Sequence, residues 1–241
     1  MSNAPDVPLL ARLIERLTAS RTLPDPLPPD PFPIFHRWFD EAKAAKAQPN
    51  PDAMSLATVD ADGTPSVRML LCRGIDDAAG TITFYTNYLG RKGRALEANP
   101  RVAACFHWDQ AERQARIEGT VVRATPEQSD AYFNQRPWES RLGAWASHQS
   151  EPLGSRAELV ARVLECMKQL GISPAEIALK GNGVKIPRPA HWGGFTLLAS
   201  RVELWLGGPG RFHDRAAWTR EFRGPAGVSR SGGWSSTRLQ P

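Results

Sequence analysis

AMSLATVDADGTPSVRMLLCRGI, residues 53–75, decides the class of fold. Two apolar, β-forming runs, 53–60 and 65–75, are separated by a short turn segment rich in Asp and Gly. That is the signature of a β-hairpin. Downstream, TITFYTN (81–87) reads as a third strand. RKGRALEAN (91–99) reads as a short helix stopped by Pro100. RVAACFHW (101–108) and RQARIEGTVVRA (113–124) read as two more strands. The last part of the chain returns to the strand pattern in WGGFTLLASRVELWLGG (192–208), RFHDRAAWTRE (211–221) and WSSTRLQ (234–240). Strands at hairpin spacing, broken by helices without regular alternation, argue against a doubly wound sheet. They predict a mainly β chain with helical additions (α+β), built as a compact antiparallel barrel.

The helical signals lie around this frame. Residues 7–19 read as a short amphipathic helix, followed by the proline-rich connector LPDPLPPDPFP (23–33). Asp30 as N-cap and Pro31 at the first helical position open a helix through IFHRWFDEAKAAKA (34–47). Thr125 to Gln128 form a capping box with Pro126 at the first position. Ser155 and Glu158 form another, ahead of Leu159, Val163, Met167 and Leu170 on one helix face. GISPAEIALKGNGVKIPRP (171–189) reads as irregular. The expected organisation is an N-terminal helix and connector (1–29) and one domain (30–241).

The chain of 241 residues is 41% hydrophobic, enough for a real core, and carries a net charge of +5. No stretch approaches the roughly 18 apolar residues of a membrane helix. The N-terminus does not read as a signal peptide, which makes the cytoplasm the default location. Cys72, Cys105 and Cys166 are widely spaced, which suits reduced, buried thiols. The positive surplus suits an anionic small molecule as well as nucleic acid, and no recognition motif favours nucleic acid.

The common nucleophile, zinc and phosphate-loop motifs are missing, and the five histidines have no metal-ligand spacing. What remains is a set of cations. Arg68 and Arg73 bracket MLLC. Arg91-Lys92 stand at a helix start, where the backbone N–H groups already favour an anion. A solvated basic turn explains that pair as well as a phosphate does. In YFNQRPWES, Tyr132, Arg136 and Ser140 recur at intervals of four. One helix would put them on one face as a phosphate cradle, although Pro137 points to two short helices meeting. In GGPGRFHDR (207–215), Arg211, His213 and Arg215 alternate and would share one face of a strand. These residues point to phosphorylated, planar small molecules and to a possible oxidoreductase.

The ordered segments resemble the pyridoxamine 5′-phosphate oxidase family, FMN-dependent enzymes of the antiparallel split-barrel type. They are DPFPIFHRWFDEA, ATVDADGTPSVRMLL, FYTNYLGRKGRALEANPRV, ERQARIEGT, YFNQRPWESRLGAWASHQS, PRPAHWGGF, VELWLGG, RFHDR and the closing RLQP. The resemblance implies FMN at a homodimer interface. The implied flavin set is the run Arg68, Met69, Leu70, Leu71, Cys72 and Arg73, with Tyr85, Thr86, Arg91, Lys92, Gln114, Gln149, Ser150, Trp192 and Arg215. Gln149 and Ser150 could come from the partner subunit. Arg73, Tyr132, Arg136 and Ser140 are implied to hold the substrate phosphate, while Arg211 and His213 flank the pyridine ring as the catalytic pair.

The implied reaction takes pyridoxamine or pyridoxine 5′-phosphate to pyridoxal 5′-phosphate with O2, giving hydrogen peroxide. The chain departs from the family's common pattern at four places, one being the longer stretch GISPAEIALKGNGVK (171–185). Arg73 stands where Lys is common, Gly90 where Ser is common, and LIERLTAS (13–20) lacks the Arg and Tyr that close over substrate. Two alternatives remain: a flavin oxidase of the same fold acting on another planar ring, and a non-catalytic FMN or pyridoxal phosphate carrier.

Overall fold

A computed structural model of the chain describes residue 11, residues 21–223 and residues 230–241. Apart from Ala11, the helix expected over 7–19 lies outside them. The hairpin forms as expected. Strands β1 (Ala53–Val59) and β2 (Pro65–Leu71) pair antiparallel from Ala53↔Leu71 to Val59↔Pro65. Gly63 turns the corner at φ 86°, a conformation that costs glycine little. The second arm does not run on to Ile75. The Cys72 amide donates to Asp52 O (2.9 Å) and the Arg73 amide to Thr83 O (2.8 Å). Consecutive amides thus bond to different partners, and the chain steps into β3 (Gly74–Asp76), which pairs with β4 (Thr81–Asn87).

Strands β5 (Arg101–Trp108), β6 (Arg113–Arg123), β7 (Trp192–Leu206) and β8 (Asp214–Thr219) complete most of the sheet. Short β9 (Phe222–Arg223) and β10 (Arg230–Ser231) make a separate ribbon, and β11 (Ser235–Leu239) pairs with β8. The large sheet has nine strands, ordered β11-β8-β7-β6-β5-β1-β2, with β4 also on β7 and β3 on β4. Its ends, β2 and β11, do not pair, so the barrel stays split.

The split is made by β7. Its first half pairs with β4 (Trp192↔Asn87 to Leu198↔Thr81) and its second half with β8 (Arg201↔Thr219 to Leu206↔Asp214). Along its other edge it pairs with β6 from Phe195 to Leu206, with a bulge between Glu118 and Gly119. A Cβ on Gly119 would lie 2.0 Å from Leu198 O, so only glycine fits this bulge.

Helix α1 (Phe32–Ala45) buries Phe32, Ile34, Phe35, Trp38 and Phe39 against the sheet, where Phe35 meets Phe106 at 5.1 Å between ring centres. The Asp30 carboxylate accepts the Phe32 amide (2.9 Å), so the capping residue is as expected although the helix begins one turn position later. α2 is Arg91–Ala98. The remaining helices, α3 (Pro126–Gln135), α4 (Trp138–Ala146), α5 (Arg156–Gln169) and α6 (Pro174–Lys180), carry a second core of Phe133, Leu142, Met167, Ile172, Val184, Ile186 and Trp192.

Three expectations are corrected. Residues 174–180 are helical rather than irregular. The Ser173 hydroxyl accepts the Glu176 amide at 3.0 Å, a cap hidden in a loop-like composition. Tyr132, Arg136 and Ser140 do not share one helix: Arg136 is extended (φ −74°, ψ 148°) between α3 and α4, as a residue before proline must be. Nor do Arg211, His213 and Arg215 share a strand face. Arg211 ends a short 3-10 turn (Pro209–Arg211) with φ 67°, a left-handed conformation incompatible with a strand. Only Arg215 lies on β8.

Candidate active site

Three groups of predicted residues emerge. The first surrounds the N-terminus of α2. Lys92 is 7% exposed, and its Nζ donates to Thr86 Oγ1 (3.0 Å) and to Gln149 Oε1. Both partners are neutral. Burial, and then the charge of Arg68, pulls the Lys92 pKa down to about 8. Arg68 donates to Leu56 O, Ser66 O and the hydroxyls of Thr58 (2.7 Å) and Ser66 (2.9 Å), again with no carboxylate in contact. Burial and then Arg91 lower its pKa. Arg91 alone has an acid, Asp60, at 2.7 Å. Two half-buried or buried cations without a contacting acid thus stand at the N-terminus of a helix, whose dipole adds to their positive charge. Gln149 meets Lys92 within one chain, so this contact needs no partner subunit. A cavity of about 460 Å³ opens beside it, lined by Asn87, Leu89, Arg94, Ser147, His148 and Gln149.

The second group is aromatic and cationic. Tyr85 stacks on Tyr132 (4.1 Å) and on Trp192 (5.7 Å), and the Arg136 guanidinium lies 4.6 Å over Trp192. Arg136 Nη1 is buried with no hydrogen-bond partner. Burial, and then the nearby charges of Arg141 and Arg73, pull its pKa down against the opposing influence of Tyr132. Arg73 is anchored by Asp52 at 2.6 Å and lies 6.0 Å from the Tyr132 ring. Ser140 is half-buried on α4, next door to this group in sequence. The cluster thus contains Tyr85 and Trp192, expected on the flavin, together with Arg73, Tyr132 and Arg136, expected on the substrate phosphate.

The third group is a row across the sheet. Gln114 on β6, Trp205 on β7 and Arg215 on β8 are direct cross-strand neighbours. The turn after β7 folds His213 back onto Trp205, 4.7 Å between rings. The Gly208 amide donates to His213 Nδ1 at 3.2 Å, which leaves the proton of the neutral ring on Nε2. A Cβ on Gly208 would lie 2.1 Å from Phe212 O, so the turn requires glycine there. Arg215 Nη2 donates to Glu203 Oε1 (2.7 Å), while its Nε is buried without a partner. Arg211 is exposed at the tip. Met69 is exposed on β2, Leu70 and Leu71 are half-buried, and Cys72 is buried, with its thiol pKa pushed up to about 12 by burial.

Trp205 and Glu203 are the residues that reading the sequence missed. The signal was present in VELWL. Val202, Leu204 and Leu206 fill the core, so Glu203 and Trp205 take the opposite face. Among the described residues, no hydrogen bond, ion pair or ring contact joins the third group to the first two.

A family model described as pyridoxamine 5′-phosphate oxidase matches residues 40–169. A second, described as the pyridoxine 5′-phosphate oxidase C-terminal dimerisation region, matches residues 192–241. Pyridoxine/pyridoxamine 5′-phosphate oxidase of Chromobacterium violaceum is 47% identical over 218 residues, covering 90% of this chain and 92% of its own. The enzyme of the same name from Cupriavidus necator is 49% identical over 213 residues, covering 88% and 90%. Among solved structures, PhzG from Burkholderia lata in complex with tetrahydrophenazine-1-carboxylic acid superposes with a TM-score of 0.73 at 28% identity, covering 89% of this chain and 94% of its own. A pyridoxamine 5′-phosphate oxidase-related, FMN-binding protein of Nostoc punctiforme shares the fold, with a TM-score of 0.59 at 17% identity over 87% and 95%. This chain, with its split antiparallel barrel, belongs to the pyridoxamine 5′-phosphate oxidase family.

Proposed function

We propose that the protein is an FMN-dependent oxidase that converts pyridoxine 5′-phosphate or pyridoxamine 5′-phosphate to pyridoxal 5′-phosphate. The observation that carries this reading is the pair of separate cation groups, each with a buried donor that no acid neutralises: Lys92 with Arg68, and Arg136. Two such groups suit two phosphates, one on a cofactor and one on a substrate.

The residues fit FMN. Arg68, Arg91, Lys92, Thr86 and Gln149 would hold its phosphate. Gln114, Trp205 and Arg215 would meet its ring from the partner subunit. Support for that division is the matched dimerisation region, which contains Trp205 and Arg215. When bound, FMN supplies the two-electron acceptor that O2 regenerates with release of hydrogen peroxide. The alcohol substrate then consumes one O2, while the amine also consumes water and releases ammonia.

The chain's own residues bind and orient. Arg136 and Arg73 hold the vitamer phosphate, with the hydroxyls of Tyr132 and Ser140 as further donors. Arg211 and His213 flank the pyridine ring and fix its reacting carbon, a proximity effect. With Nδ1 accepting the Gly208 amide, His213 would donate to the ligand through Nε2.

The test is direct. The flavin-loaded protein is mixed with pyridoxine 5′-phosphate or pyridoxamine 5′-phosphate in air, and aldehyde and peroxide are measured. Turnover of neither vitamer refutes the assignment. A dihydro-aromatic tricyclic acid in the same assay addresses a second reading, oxidation of another planar ring, motivated by the ligand of the Burkholderia lata neighbour.

A further inference from the structure

Glu203 is 3% exposed near the C-terminal end of β7, and three arginines surround it. Arg215 Nη2 donates to its Oε1 at 2.7 Å, while Arg116 Nη1 and Arg201 Nη2 each lie 3.4 Å from Oε2. Burial alone would raise the Glu203 pKa. The Arg215 hydrogen bond and the charges of Arg116, Arg215 and Arg201 outweigh it and hold the group ionised. The three arginines do not depend on it equally. Arg116 also reaches Glu118 at 2.9 Å, and Arg201 lies 3.8 Å from the same carboxylate. Among the described residues, Arg215 pairs with no acid but Glu203. Its other tie is from Nη1 to Gln240 O at 3.0 Å, and its buried Nε has no partner.

We propose that Glu203 is a positioning residue whose carboxylate, with the Gln240 carbonyl, clamps the two ends of the Arg215 guanidinium and holds it in one orientation toward the ligand. The inference rests on the proposed placement of Arg215 against the flavin. The geometry is a lever. Glu203 lies two positions from Trp205 on β7, and Trp205 is the direct cross-strand neighbour of Arg215. The carboxylate therefore sits diagonally beneath the guanidinium, on the same sheet face, and fixes its plane. A carboxylate buried among three cations is retained at a desolvation cost, which a purely structural site could avoid with an apolar residue. Holding an arginine in one orientation is a use that only the charge supplies.

The experiment is a double-mutant cycle on FMN affinity, read by flavin fluorescence as FMN is titrated into the apo-dimer of wild type, E203Q, R215M and E203Q/R215M. The expected result is that E203Q and R215M each weaken FMN binding by roughly tenfold to a hundredfold, the range for a lost charged hydrogen bond. E203Q is then silent in the R215M background. E203D, which keeps the charge near Arg116 and Arg201 but shortens the reach to Arg215, weakens FMN to a similar degree and covers the case where E203Q fails to fold. Melting temperatures separate a role in the fold, which would lower stability equally with either residue at 215. If R215M leaves FMN affinity unchanged, the placement of Arg215 is wrong and the inference falls with it. If R215M weakens FMN and E203Q costs the same factor in both backgrounds, the placement stands and the clamp is refuted.

Discussion

Lys92 should take up a proton when FMN binds. In the ligand-free protein its ammonium is buried, meets only the Thr86 hydroxyl and the Gln149 amide oxygen, and has a pKa near 8 instead of 10.5. For a base, a folded pKa below the unfolded one means that the unfolded chain holds the proton more tightly. The penalty, on the order of 3 kcal/mol at 1.36 kcal/mol per unit, is therefore present in full below pH 8. It is relieved as pH rises from about 8 toward 10.5. A phosphate dianion beside Nζ reverses the balance and restores the charged form. The deprotonated fraction available for uptake is about 0.1 at pH 7, about 0.5 at pH 8 and about 0.9 at pH 9. The phosphate itself, with a second pKa of about 6, is already a dianion there and contributes little. Calorimetric titration of FMN into apoprotein in two buffers of different ionisation enthalpy counts the protons. Uptake should grow from pH 7 to 9, and FMN affinity should fall over the same range. Uptake that is absent at pH 8 to 9, or that persists in K92M, would refute the placement of a phosphate at Lys92.

Other perturbations probe the remaining groups. R136M removes a half-buried cation whose Nη1 has no partner. It should leave Tm unchanged or higher while raising KM for the phosphorylated vitamers at least tenfold, a separation visible by thermal melts and steady-state kinetics. R211A changes an exposed turn residue. It should lower kcat/KM far more than it lowers FMN affinity, and equal losses in the two titrations would contradict its assignment to the substrate ring. G93A would place a Cβ 2.0 Å from Tyr88 O in the backbone that leads into α2. The expected cost is about 1–3 kcal/mol by denaturant titration, with weaker FMN binding because the α2 N-terminus must shift.

Much of this architecture is written in local chemistry. The 53–71 hairpin follows from alternation and a DADG turn, and α3 from the Thr125–Gln128 box, in which both hydrogen bonds form. These features depend on residues within one turn or one strand pair, which is the range over which period and capping act. Helix α6 was missed for a related reason. Its Ser173 cap and Glu176 sit among glycines and prolines that dominate a reading by composition. The 207–215 stretch misled because alternation implies a shared face only if the backbone is extended, and Gly210 (φ 63°) and Arg211 (φ 67°) are left-handed.

The sequence by itself determined the class of fold, the positions of most strands and the residue types proposed to meet phosphate. Those properties are set by short-range periodicity and by side-chain chemistry. Only the tertiary structure decided which cations share a site. It placed Trp192 with Arg136 and Tyr132, Trp205 with Arg215 and Gln114, and Glu203 beneath Arg215. The physical reason is register. The partners of a β-strand residue are fixed by the bulge at Glu118/Gly119 and by the exchange of β4 for β8 along β7. Neither is legible until strands distant in sequence are paired.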